Sequence, residues 1–312
     1  MKKFLLCFGV AMAAWSYGPL CAHAAERPRV CILKIVDHKA LDETARGIRD
    51  AIGGQNADIR VESAQGNPSL ALQISQKFVR QKAPAVVTIG TVAAQSFAKF
   101  ATPAQKLVYS SVTDPEKAGL MGNANIGGVS NFIPLEPQLD LFRRIQPQLK
   151  RLGVLYNPGE TNSVSIVEKL RGLCRTRGIQ LVEQTATKSA EIPQAAATLA
   201  GRADAIFISN DNTALGALPS VIRAANGRKI PVYVSDTDSV ALGCLAALGP
   251  NQYQVGIQTG EMLKRIWTGK LPGPLPHETV ATMELFLNLQ AARLLGLEFE
   301  ADLLREAKEV IP

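Results

Sequence analysis

From Arg29 onward, short apolar runs alternate with longer stretches whose apolar positions recur at helical spacing. Val30–Val36, Asp58–Glu62, Ala85–Ile89 and Leu107–Ser110 read as strands, separated by helices near Leu41–Ile52, Ser69–Arg80 and Val92–Phe100. Strand and helix in strict alternation is the pattern of βαβ units on a parallel sheet. A strand at Ile126–Ser130 runs into Pro134-Leu135-Glu136-Pro137, where the prolines mark a boundary and open a helix near Gln138–Arg144. The plan then repeats, with strands at Arg151–Tyr156, Ile179–Gln184, Ala205–Ser209 and Pro231–Ser235 and helices at Ser163–Arg177, Ile192–Leu199 and Leu215–Ala225. After Gly249-Pro250 comes a helix at Tyr253–Trp267. The Pro/Gly-rich Gly269–Pro276 reads as a crossover, and helices at Leu289–Leu295 and Ala301–Ala307 close the chain.

The predicted fold is α/β, two doubly wound Rossmann-like lobes joined by crossover hinges. Residues 25–133 with about 251–276 form lobe 1, and 134–250 with about 277–312 form lobe 2. The length suits two domains. Open parallel sheets take their ligands beyond the carboxyl ends of the strands, so two hinged lobes of this kind face one another across a binding cleft.

The first residues change the picture. Lys2 and Lys3, the apolar stretch Phe4–Trp15 and the triplet Ala22-His23-Ala24 predict a secretory signal peptide over residues 1–24, cleaved before Ala25. Its apolar run falls short of the roughly 20 residues that cross a bilayer. An acylated Cys21 would make a lipoprotein instead, but Leu20 stands where a lipobox needs a small residue. The expected location is the periplasm. The net charge is +7, of which Lys2 and Lys3 would leave with the leader, and no Lys/Arg block resembles a nucleic-acid arm. Lys169, Arg171, Arg175 and Arg177 fall late in a predicted helix, where cations complement the helix dipole. Cys31, Cys174 and Cys244 lack metal-ligand or C-x-x-C spacing and read as buried thiols, with a single bridge among them left open.

Five strand ends carry small polar and acidic residues. In Ile89-Gly90-Thr91 the strand stops at Gly90 and Thr91 is expected at an N-cap, ahead of free backbone N–H groups that suit a carboxylate. Asp114, in Thr113-Asp114-Pro115, either receives an ammonium or hydroxyl or forms an Asx-turn. Asn157-Pro158-Gly159-Glu160-Thr161-Asn162-Ser163 brings Glu160, Asn162 and Ser163 together at a helix start, where they contact ligand or cap the helix. Ser209-Asn210-Asp211-Asn212-Thr213 and Ser235-Asp236-Thr237-Asp238-Ser239 supply carboxylates for an amine, or caps. Acids opposed to helix N-termini make a cleft suited to a zwitterion.

Enzymatic chemistry finds little support. His23, His38 and His277 are the only histidines, and neither a phosphate-binding loop nor a Gly-x-Ser-x-Gly elbow occurs. Paired carboxylates such as Asp236 and Asp238 have acid/base potential, which leaves a hydrolase or isomerase on this fold as the minor alternative. The reading is therefore of a binder with no cofactor and no metal.

Ile89-Gly90-Thr91-x-Ala93-Ala94-Gln95, Val112-Thr113-Asp114-Pro115, Gly153-Val154-Leu155-Tyr156-Asn157-Pro158-Gly159-Glu160-x-Asn162-Ser163, Asp211-Asn212-Thr213 and Asn288-Leu289 before Ala291 resemble the tryptophan/tyrosine-type ABC transporter substrate-binding family. The resemblance implies a type I periplasmic-binding-protein clamp, acting as a monomer, that passes a small solute to an ABC permease in the inner membrane. It implies amino acids as ligands, aromatic ones favoured, and a cleft lined by Thr91, Asp114, Asn157, Glu160, Ser163, Asp211, Asn212 and Asp236. The chain departs from many relatives at the short Met121–Asn125, which bears on the rim of the cleft. Tyr156, Phe207, Phe132 and Tyr253 are the candidate aromatic walls. A sensing role for a membrane receptor, or a sugar or nucleoside ligand, are the alternatives.

Overall fold

The computed structural model describes residues 27–53, 57–280 and 282–312. The expected leader over 1–24, with Cys7 and Cys21, lies outside the described residues. The first lobe is built from β1 (Arg29–Lys34), α1 (Lys39–Ile52), β2 (Asp58–Ser63), α2 (Pro68–Arg80), β3 (Ala85–Ile89), α3 (Thr91–Ala98), β4 (Lys106–Val112) and β5 (Ile126–Ser130). The chain crosses and continues through α4 (Leu135–Ile145), β6 (Arg151–Tyr156), α5 (Thr161–Thr176), β7 (Gln180–Thr185), α6 (Ile192–Ala200) and β8 (Ala205–Ile208). α7 (Asn212–Leu215), α8 (Leu218–Asn226), β9 (Val232–Val234) and β10 (Ala246–Gly249) follow. It returns for α9 (Gln252–Trp267) and β11 (His277–Thr279), then crosses again to β12 (Glu284–Asn288), α10 (Leu289–Leu295), α11 (Ala301–Glu306) and β13 (Glu309–Ile311).

The two sheets have the orders β11-β5-β4-β3-β1-β2 and β13-β12-β10-β9-β8-β6-β7. Every pairing is parallel except β10 with β12. Parallel strands covered on both faces read as unbroken apolar runs, and Val30–Leu33, Val86–Val87 and Ala205–Ile208 are fully buried accordingly. This is the type I periplasmic-binding fold: two α/β lobes, each with its own core.

After its return crossing, α9 joins lobe 1 by backbone contact with α1. A Cβ added at Gly47 would lie 2.1 Å from the Tyr253 carbonyl oxygen, and one at Gly256 would lie 2.1 Å from that of Thr44. Only glycine lets the two helices approach this closely. Val255, Met262 and Leu263 then complete the first core.

Three differences from the sequence pattern have local causes. The helix expected over Leu215–Ala225 is two, α7 and α8, because Pro219, in the first turn of α8, has no N–H to bond back to the last turn of α7. His277–Thr279 pairs with β5, so lobe 1 runs on to Thr279 and not only to residue 276. The last strands, β10 to β13, leave no clear signal in the sequence pattern; β11 and β13 have only three residues each, too few to register as periodic. Cys31, Cys174 and Cys244 are free and buried.

Candidate functional site

The carboxyl ends of both sheets meet at a narrow cavity between the lobes. Lobe 1 and its crossings contribute His38, Ala40, Leu41, Thr91, Ser111, Thr113, Asn131 and Gln252. Lobe 2 contributes Asn162, Asn210, Asn212, Leu215 and Asp236. The lobes touch directly around it: His38 Nε2 lies 3.2 Å from Asn212 Oδ1, and Asn210 Nδ2 donates to Thr113 Oγ1 at 3.2 Å.

Three lining side chains carry a buried polar atom without a hydrogen-bond partner: Thr91 Oγ1, Asn162 Oδ1 and Asp236 Oδ1. Their residues are at most 2% exposed. An unpaired buried polar group costs about 1–3 kcal/mol, and three of them stand around this one cavity. Thr91 is not the expected N-cap. Gly90, at φ 95°, takes that place, where a Cβ would meet Ile35 Cγ2 at 2.8 Å. Thr91 is thus the first helical residue, with its hydroxyl free of capping duty, and the first amides of α3 lack intrahelical partners as at any helix start.

Asp236 differs from the other strand-end acids. Its side chain makes no cap bond; one oxygen accepts from Ser239 Oγ and the other is free. Burial pushes its carboxyl up to about 7. Asp238, beside it, is not on the cavity wall, and burial raises its carboxyl too.

The remaining predicted residues stand behind the wall. The Glu160 carboxylate accepts from the Asn212 amide at 3.0 Å, Asn212 Nδ2 at 2.7 Å, the Thr213 amide at 2.9 Å, Thr213 Oγ1 at 2.7 Å and Asn162 Nδ2 at 3.3 Å. Asp211 caps α7 through Ala214 N at 2.7 Å and accepts from Asn157 N and Ser163 Oγ at 2.7 and 2.6 Å. Burial, then the nearby Glu160, pushes Asp211 up to about 7. Asn157 donates to Thr213 Oγ1 at 2.9 Å and accepts from Gly159 N at 2.8 Å. These residues orient Asn162 and Asn212 and do not themselves line the cavity. Asp114 lies in a separate outer groove with Tyr109, Phe132, Lys169 and His277.

None of the four candidate aromatics lines the cavity. Phe207 packs on Phe142 in the core at 5.2 Å, Tyr156 donates to Glu183, Tyr253 sits under Arg46, and Phe132 borders the outer groove. The apolar wall is Ala40, Leu41 and Leu215. Gln252 and Asn131 join from the crossings, where a cleft must be hinged but where no strand-end motif flags them. Ser111 lies inside a predicted cluster and is held at φ 53° by a register shift in β4, its hydroxyl donating to Gln252 Oε1 at 3.0 Å. Left-handed backbone at a non-glycine residue of a binding wall is strain held by its surroundings.

Fold and cavity together define a two-lobed solute-binding protein. A family model described as ABC transporter substrate binding protein matches residues 29–311, and the chain belongs to that family. It is 29% identical over 284 residues, 88% of this chain and 82% of the relative, to a tyrosine-binding protein of Clostridioides difficile (strain R20291). An ABC domain in complex with L-Trp from Streptococcus pneumonia superposes with a TM-score of 0.87 at 27% identity, covering 92% of this chain and all of that one. A ligand-free, open substrate-binding protein with adhesive properties from Clostridium difficile is 30% identical, covers 91% of this chain and 99% of its own, but reaches only 0.66. In this chain the lobes are in direct contact across the cleft.

Proposed function

We propose that the protein captures a zwitterionic amino acid, aromatic types favoured, between its lobes in the periplasm and delivers it to an ABC permease without chemical change. The observation that carries this reading is the set of unpartnered atoms on Thr91, Asn162 and Asp236, facing one cavity from both lobes. In it, Asp236 takes the ammonium through its free oxygen, aided by Asn162 Oδ1, while Thr91 Oγ1 and the first amides of α3 take the carboxylate. Leu41 and Leu215 receive the side chain. Asn212, held by Glu160, and His38 line the path between. Glu160, Asp211, Asn157 and Ser163 act through the residues they orient. Tyrosine and tryptophan in the names of two relatives support the ligand class.

Ligand contacts made by both lobes favour the closed state by the difference in affinity between the two states, and closure is what a permease reads. A thermal-shift screen of refolded, ligand-stripped protein against amino acids, sugars, nucleosides and small organic acids tests the class. Stabilisation by an amino acid is expected. Stabilisation by a sugar or nucleoside alone contradicts the ligand class, and turnover of the ligand contradicts the claim of capture without chemistry.

A further inference from the structure

Thr161, Ser165 and Lys169 stand four residues apart on α5 and so form one stripe along its surface. Each reaches across to lobe 1. Gln95 Nε2 donates to Thr161 Oγ1 at 3.3 Å, Ser165 Oγ donates to Asp114 Oδ2 at 2.7 Å, and Lys169 Nζ lies 3.3 Å from the same oxygen. The Lys169 ammonium also sits 4.7 Å from the centre of the Phe132 ring, in the segment that crosses between lobes. None of these residues lines the solute cavity.

We propose that Asp114 with the Thr161–Ser165–Lys169 stripe is a closure latch: it holds the lobes together from outside the solute cavity and sets how long a captured solute is retained. Asp114 is therefore a positioning residue for binding and not a solute contact; this rests on the reading that a solute is held between the lobes. Its other oxygen accepts from the Lys117 amide at 3.0 Å, which fixes the carboxylate in lobe 1 before α5 arrives. Ser165 is 3% exposed, so its charge-assisted bond is shielded from water, whereas the Lys169 side chain is 44% exposed and its ion pair is screened. The latch thus depends more on a hydroxyl than on a salt bridge. Such bonds form only when the lobes meet, so their loss speeds opening and leaves encounter with the solute unchanged.

The test measures association and dissociation of L-tyrosine and L-tryptophan by stopped flow. Asp114→Asn and Ser165→Ala each raise the dissociation rate on the order of tenfold with association unchanged, Lys169→Gln raises it only about twofold, and the Asp114/Ser165 double variant is no worse than either single one. Unchanged dissociation rates, or additive losses, overturn the latch. If neither amino acid binds the wild type, the ligand reading fails, and the latch is judged separately by electron spin distances between one label on each lobe in ligand-free protein. Depletion of the short-distance population by Asp114→Asn upholds it, and identical distributions overturn it.

Discussion

Glu160 accepts from both the backbone and the side-chain nitrogen of Asn212, at 3.0 and 2.7 Å, and so turns the Asn212 carbonyl oxygen toward His38 in the opposite lobe. A carboxylate with five donors is bound entirely to its own lobe and has little left for a solute. Glu160→Ala strands those donors in a buried site and should destabilise lobe 2 by about 3 kcal/mol, read as a lower denaturation midpoint in urea at an unchanged slope. An unchanged midpoint with lost affinity would instead make Glu160 a direct solute contact.

Asp236 gives the cleft a pH dependence. Its folded pKa is about 7 against 3.8 as the ordinary value, the cause being burial. In ligand-free protein the folded state holds a proton that the unfolded state has released. Stability therefore falls as pH rises from about 4 and levels off above 7, and Asp211, also at about 7, adds to the same window. An ammonium ligand needs the ionised form, so affinity should weaken toward tenfold per unit as pH drops below 7. Calorimetry at several pH values checks this: Asp236→Asn should bind on the order of 100-fold more weakly at pH 8 and lose the pH slope. A variant that keeps the slope would move its origin elsewhere.

Much of the architecture was legible because parallel strands covered on both faces leave unbroken apolar runs; Ala85–Ile89, Ile126–Ser130 and Arg151–Tyr156 coincide with their sequence boundaries. The strand-end rule also pointed to Thr91, Asn162, Asn212 and Asp236, which line the cavity. What it did not separate is an acid that faces the cavity from one that caps a helix. Asp211 and Asp236 look alike in sequence, each ending a strand and preceding a polar turn. Asp211 spends its oxygens on Ala214, Asn157 and Ser163, and Asp236 keeps one free. Gln252 carries no local signal because its place on the wall is set by the crossing that precedes α9, a tertiary fact with no local periodicity.

The α1–α9 contact makes a sharp steric prediction. Gly47→Ala puts a methyl group 2.1 Å from the Tyr253 carbonyl oxygen and must push α9 away, costing about 1–3 kcal/mol. Gly172→Ala, in α5 with nothing within 4 Å of its Cβ, should gain roughly 0.5–1 kcal/mol from helix propensity. Thermal denaturation of the two variants should therefore shift in opposite directions.

The measurement closest to the central claim is calorimetry of L-tyrosine beside two analogues, one lacking the amino group and one lacking the carboxylate, on wild-type protein, Asp236→Asn and Thr91→Ala. The account predicts tight binding of the amino acid alone, with loss of the amino group mattering little once Asp236 is replaced, and loss of the carboxylate mattering less in Thr91→Ala. Equal binding of the amino acid and both analogues, or full affinity in both variants, would contradict a zwitterion held between these two residues.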